Sequence, residues 1–287
     1  MKYYPLHIIT LVGILLLGFS AEGQFFSRQV THTPLEYYVL NNTDQAWEKD
    51  PLYAFLSVEQ DISSEDIAEL KEELALLTET LIEKKETLSE QKLVAYLYKT
   101  VQKQYLKHYT PISTFRKTLT EGTYDCLTGT MLYAYLLEQI GLEYQIYETN
   151  VHVYLKVSLK RGKEILIEST DPYRGFVSNQ KDITSRENKY RAKALKGDTN
   201  MTVGTQVYTY RQVLHQPVSL MEIAGLQYFN RAIQYFNQKN WREAYIALQK
   251  TKCFYGSSRI VELEALLEDR LNTKQMYAIL NQEIHLK

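Results

Sequence analysis

Cysteine is scarce in this chain. Cys126 and Cys253 are the only two in 287 residues, too thin a framework for a disulfide-stapled fold. They lie far apart and no histidine pair has ligand spacing, so neither a metal nor a cofactor is expected. Charge of one sign is lacking as well. Lysine and arginine total 33, aspartate and glutamate 34, and the net charge of −1 sets up no field for nucleic acid or an acidic membrane. No basic arm, zinc-finger spacing or RNA-binding signature occurs, which sets nucleic acid aside. Glycine-rich loops that cradle phosphate are absent too. Residues 8–19 (IITLVGILLLGF) are apolar but fall short of the roughly 18 residues that a bilayer span takes.

That run instead has the form of an export leader. Small residues follow it at Ala21 and Gly23, so residues 1–23 are expected to be removed and the chain from Gln24 to be periplasmic or secreted. The other reading is an uncleaved anchor, the only route by which a membrane enters. No cysteine stands at the cut, so no lipid anchor is indicated. In an oxidising compartment Cys126 and Cys253 could pair, but their expected places in different domains argue against it.

The remainder has an ordinary globular composition, 45% hydrophobic and 23% charged, of a length for one to two domains. Residues 24–62 have no sustained period. From Ser63 the period becomes helical: Ile67, Leu70, Leu74, Leu77 and Leu81 recur with charges between them, behind Ser63 or Ser64 as N-cap. A second helix follows Ser89, with Leu93, Val94, Leu97, Val101 and Tyr105 on one face. Residues 108–125 read as a loop broken by Pro111 and turned at Gly122. Residues 126–140 read as a helix stopped by Gly141, and then come strands in LEYQIYET, VHVYLKVSL and ILIEST, the last two joined by a tight turn at KRGKE. Residues 172–206 read as a long loop with short strands. The end is helical, with two helices joined at residues 238–240 and a weaker pair from Ser258. The fold class is therefore α+β, with expected regions at 24–88 (helical), 89–206 (helix on antiparallel sheet) and 207–287 (helical).

Chemistry concentrates in the middle region. A thiol nucleophile reacts as the thiolate, which a helix N-terminus favours because unpaired N–H groups point at it. Cys126 opens the predicted helix. His152 starts the next strand but one, and imidazole suits a general base near neutral pH. The returning strand offers two acids to orient the ring, Glu168 and Asp171, and the register of the hairpin does not choose between them.

This order resembles the transglutaminase-like superfamily. GTYDCLTGTMLYAYLLEQIGLEYQI resembles its cysteine helix, HVYLKV its histidine strand and ILIESTDP its acid strand. The resemblance implies Cys126 as nucleophile, His152 as base, and Glu168 or Asp171 as the orienting acid. It implies acyl transfer from an amide through a thioester, with hydrolysis favoured over cross-linking, on a protein, peptide or cell-wall amide. The register Ala232, Tyr235, Ala244 and Gly256 resembles one tetratricopeptide repeat, which implies a face open to a protein partner. No tryptophan follows His152 or sits in the acid strand. A second reading therefore stands beside the first: an inactive scaffold of the same fold, binding a partner through its C-terminal helices.

Overall fold

The computed structural model describes residues 24–150, 152–195, 200–203, 206–209, 214–282 and 284–286. The predicted leader, residues 1–23, lies outside them. Among the described residues no helix is long and apolar enough to cross a membrane.

Residues 24–62, which read as irregular, form a strand β1 (Gln24–Phe26) and three short helices, α1 (Pro34–Asn41), α2 (Thr43–Lys49) and α3 (Pro51–Leu56). Each helix is too short to print a period. Their ends are nonetheless written locally: α1 and α3 begin with proline, behind Thr33 and Asp50 whose side chains accept the orphan N–H groups of Glu36 and Leu52. The long helix α4 (Ser64–Thr87) is capped by Ser63, with Asp66 closing a capping box, and buries Leu70, Leu74, Leu77 and Leu81. It hairpins onto α5 (Glu90–Gln104), which buries Leu93, Val94, Leu97, Tyr98 and Val101.

The expected loop at 108–125 carries more structure than its proline suggests. A two-residue strand β2 (His108–Tyr109) pairs in parallel with β3 (Thr123–Tyr124), and between them lies a short helix, α6 (Phe115–Thr120). Then comes α7 (Cys126–Gln139), buried along most of its length. Gly141, at φ +62°, ends it in the left-handed conformation, and Lys85 from α4 donates to the Ile140 carbonyl (2.6 Å), a cation at the helix C-terminus.

Beneath α7 runs an antiparallel sheet. Strands β4 (Tyr144–Thr149), β5 (Val153–Leu159), β6 (Lys163–Ile167) and β7 (Phe176–Val177) are followed by a 16-residue helix α8 (Gln180–Leu195), where a long loop was expected. A separate hairpin of β8 (Asn200–Val203) and β9 (Gln206–Thr209) leads to β10 (His215–Val218), which returns to the sheet beside β4. The order is β10-β4-β5-β6-β7, so residues 215–218, which from sequence fall in the helical tail, form a strand of the central sheet. Alternation assigns the two faces. Leu155, Val157, Ile165 and Ile167 join the main core with α7, while Tyr154 and Leu166 pack with Ile183 of α8. The sheet is covered on both sides.

The tail comprises α9 (Leu220–Asn237), α10 (Trp241–Thr251), α11 (Ser258–Glu268), α12 (Thr273–Gln282) and a last strand, β11 (Ile284–Leu286), paired antiparallel with β1. One hydrophobic cluster extends from Phe26 through the sheet to Ile284. Buried polar groups cross it in the same places. Gln227 of α9 donates to the Phe55 carbonyl (2.9 Å) and accepts from the Phe115 N–H (3.1 Å). Lys250 of α10 meets Glu36 of α1 at 2.8 Å, both side chains nearly inaccessible.

That last pair yields a test. Lys250→Met leaves a buried carboxylate unpaired and should cost about 3–5 kcal/mol. Urea unfolding followed by circular dichroism and by tyrosine fluorescence should give one coincident, shifted transition. Two separate transitions would show that the first and last helices belong to independently folding units.

Candidate active site

Cys126 is the first residue of α7. The residue before it, Asp125, is the N-cap: its carboxylate accepts from the Thr128 N–H (2.8 Å), and the Thr128 hydroxyl accepts from the Asp125 N–H (3.2 Å). The other Asp125 oxygen takes the Ser113 N–H (3.1 Å). Ile112 next to it sits at φ +59°, a left-handed conformation that a β-branched residue adopts at a cost of about 1–3 kcal/mol. The loop and the helix start are thus fastened to each other. As a first-turn residue, Cys126 has no acceptor within the helix for its own N–H.

The thiol faces an imidazole. His152 lies at the mouth of β5, after the turn out of β4. Its carbonyl accepts both the N–H and the hydroxyl of Thr149 (2.7 and 3.0 Å). Its Nε2 is 2.5 Å from Glu168 Oε2, which leaves Nδ1 for the thiol, its other side-chain hydrogen-bond partner. The Glu168 carboxylate is buried and fully engaged. Oε2 also accepts from the Tyr190 hydroxyl (2.7 Å), and Oε1 accepts the N–H and hydroxyl of Thr170 (3.2 and 2.7 Å).

The structure therefore brings three of the four predicted residues together and turns the fourth away. The Asp171 carboxylate accepts from the Arg174 N–H (2.9 Å) and pairs with Arg186 of α8 (3.3 Å). Its backbone carbonyl accepts from the Tyr98 hydroxyl (2.6 Å). The reason is register. Leu159 pairs with Lys163 and Leu155 with Ile167, across a turn in which Arg161 and Gly162 both have positive φ. Continuing that register sets Thr170 across from His152, and Glu168 one diagonal step away.

Two glycines permit this approach. A Cβ on Gly129, in the first turn of α7, would lie 2.7 Å from the Ser169 Cβ, so α7 and the acid segment touch through a missing side chain. The Ser169 hydroxyl donates to the Cys126 carbonyl across that contact (3.3 Å). A Cβ on Gly175 would meet the Glu168 and Asp171 carbonyls at 2.2 and 2.4 Å. Helix α5 holds the same segment from outside, with Gln102 donating to the Ser169 carbonyl (2.8 Å).

Burial alone would lower the imidazole's pKa and raise the carboxylate's. The charges overrule it: Cys126 and Glu168 push His152 up to about 10, and His152, Tyr190 and Thr170 pull Glu168 down to about 2. Burial pushes the Cys253 thiol up to about 12, and both cysteines are free. Among the described residues no group of three or more His, Cys, Asp or Glu could hold a metal.

No family model, curated protein or solved structure matches this chain. A thiol, an imidazole and a buried carboxylate in line can hold a thiolate beside an imidazolium and return the proton to a leaving group.

Sequence reading missed Tyr190, whose ring also lies 5.5 Å from that of His152 and 4.8 Å from that of Tyr154. The one available signal was faint: Ile183 and Tyr190 stand a helical spacing apart in an otherwise polar stretch.

Linkage fixes the pH dependence of this cluster. Glu168 lies below its ordinary 4.5, so its contribution is present above that pH and is lost as pH falls towards 2. His152 lies above its ordinary 6.5, so its contribution is full below that pH and is lost as pH rises towards 10. The Tm advantage of the wild type over His152→Ala should peak between pH 4.5 and 6.5 and shrink from 6.5 to 10, measured by calorimetry. A difference flat with pH would show that the two groups are not paired in solution. In the same cluster Gly129→Ala should separate α7 from Ser169 and lower stability by about 1–3 kcal/mol. An unchanged Tm would contradict the close contact.

Proposed function

We propose that the chain is an exported thiol acyl-transfer enzyme with a transglutaminase-like core. The observation that carries this reading is the unbroken line from the Cys126 thiol through the His152 imidazole to the buried Glu168 carboxylate. A structural cysteine at a helix start needs no imidazole, and a core histidine needs no ionised carboxylate with four contacts. Export is proposed on the apolar leader at 8–19.

In this mechanism His152, held as imidazolium by Glu168, keeps the proton of the Cys126 thiol. The thiolate adds to the carbonyl carbon of an amide. The oxyanion that forms lies near the start of α7, where the Cys126 N–H and the helix dipole favour negative charge. Collapse breaks the C–N bond as His152 gives its proton to the departing amine, leaving a thioester on Cys126. His152 then takes a proton from water, whose oxygen displaces the thiolate to give a carboxylic acid. An amine in place of water would give a new amide by the same steps. Hydrolysis is the favoured outcome, on a protein, peptide or cell-wall amide. Glu168 keeps the ring oriented throughout, and Tyr190 keeps Glu168 oriented. Tyr109 of β2 is 57% exposed. Burial and the charge of Cys126 both raise its phenol pKa.

The test uses the two thiols as each other's control. With iodoacetamide at neutral pH, Cys126 should label at least about tenfold faster than Cys253, and His152→Ala should remove most of that advantage. Glu168→Gln should slow it less, because the amide still fills the space but no longer stabilises the imidazolium. Slow labelling of Cys126 in the wild type, unchanged by His152→Ala, sinks the catalytic reading. Peptide substrates offered with and without a fluorescent primary amine then separate hydrolysis from transfer.

A further inference from the structure

The turn that carries His152 is held by a residue from the far end of the chain. Arg259, in the first turn of α11, is nearly buried. Its Nη2 donates to the carbonyls of Thr149 (3.1 Å) and Asn150 (2.7 Å), and its Nη1 lies 2.8 Å from Oε1 of Glu148. One guanidinium thus spans three consecutive residues at the exit of β4, some 110 positions earlier in sequence. Glu148 is itself fully buried, and its second oxygen accepts from the Tyr255 hydroxyl. The connection to the imidazole is short. The Thr149 carbonyl is fixed by Arg259, and the N–H and hydroxyl of Thr149 fix the His152 carbonyl. The Asn150 side chain, next in the turn, accepts the Leu214 N–H (2.8 Å) from the lead into β10.

Burying an ion pair is costly, several kcal/mol per ion before the attraction repays it. A docking helix needs no such pair, since apolar residues would do as well. What a guanidinium supplies is several donors in a fixed plane, enough to hold a carboxylate and two carbonyls at once. The packing around it is built for close approach. A Cβ on Gly225 of α9 would lie 2.7 and 2.9 Å from the Cβ atoms of Phe254 and Tyr255, so the turn before α11 is seated where only glycine allows it. That seating delivers Tyr255 and Arg259 to the same carboxylate.

We infer that Arg259 is a positioning residue for His152, and that the C-terminal helices serve the reaction centre by setting the β4 exit turn against Cys126. The inference rests on reading Cys126, His152 and Glu168 as that centre. It makes the helical tail part of the site and not an appendage to it.

The test compares Arg259→Ala and Arg259→Lys in the full chain with Lys252→Ala. Lys252 pairs with Glu264 on the same helices (2.6 Å), remote from the turn in its contacts. Two readouts are taken well below each variant's Tm: the ratio of Cys126 to Cys253 alkylation, and hydrogen exchange at the Thr149 amide, whose bond to His152 reports the turn directly. Arg259→Lys keeps one charge but not the fork. It should accelerate Thr149 exchange and lower the labelling ratio about ten- to a hundredfold, with Arg259→Ala at least as severe and partly restored by added guanidinium. Lys252→Ala should leave both readouts alone. If Arg259→Ala does not fold, Arg259→Lys carries the test by itself. Lower Tm with unchanged exchange and labelling would make Arg259 merely structural and overturn the inference. Failure of the underlying reading looks different: the wild type itself labels slowly and does not respond to His152→Ala, whatever Arg259 does.

Discussion

The contact between the first turn of α7 and the segment after β6 governs the geometry of this protein. It exists because Gly129 lacks a side chain where Ser169 arrives. Helices and sheets ordinarily stand off by the thickness of their side chains. Here that thickness is removed at one point, and the helix start comes down onto the end of a strand. Cys126 is on one side of the contact and Glu168 on the other. The imidazole fills the space that remains, so a van der Waals limit in the scaffold sets the reach between thiol and carboxylate. The glycine at 175 does the same on the far side, where the acid segment folds back between two of its own carbonyls.

The polar groups around the centre come from four helices far apart in sequence. α5 supplies Tyr98 and Gln102, α7 its capped start, α8 Tyr190, and α11 Arg259. Each touches backbone or carboxylate one step behind the thiol and the imidazole, and none competes with a substrate for them. The arrangement suits a site that has to hold two opposite charges close together while leaving the sulfur accessible. A buried carboxylate stays ionised only when enough donors surround it, and Glu168 has an imidazole, two hydroxyls and a backbone N–H. At Glu148 a guanidinium and a phenol face the carboxylate, and burial still raises its pKa.

The sequence made parts of this plain and concealed others, for physical reasons. Helices α4 and α5 announce themselves through length and period, because each buries one stripe over many turns, and α7 through an apolar run of helical length stopped by Gly141. The Cys126–His152–Glu168 order is local enough to read, since all three lie on neighbouring elements joined by short turns. The choice between Glu168 and Asp171 was not readable. It depends on a single residue of turn length at 160–162, and one residue decides which side chain faces the ring. Helix α8 was hidden because its face to the sheet is narrow. Ile183 and Tyr190 are its apolar contacts with the sheet, and the six residues between them are polar. The short helices α1, α2, α3 and α6 make less than two turns of pattern or little more. Arg259 could not have been found at all from spacing. Its meaning depends on which strand end lies beneath α11, and nothing near it in sequence records that.

The pairing of β1 with β11 has a kinetic consequence. Gln24 meets Leu286 and Phe26 meets Ile284, so the earliest described strand waits for the latest described one to be synthesised. Until then Phe26, wholly enclosed in the finished molecule, has one wall of its pocket missing. Closing so long a loop costs entropy that only the completed core returns. Folding in order of synthesis therefore reaches the central sheet and the cysteine helix before β1 and β11 can pair.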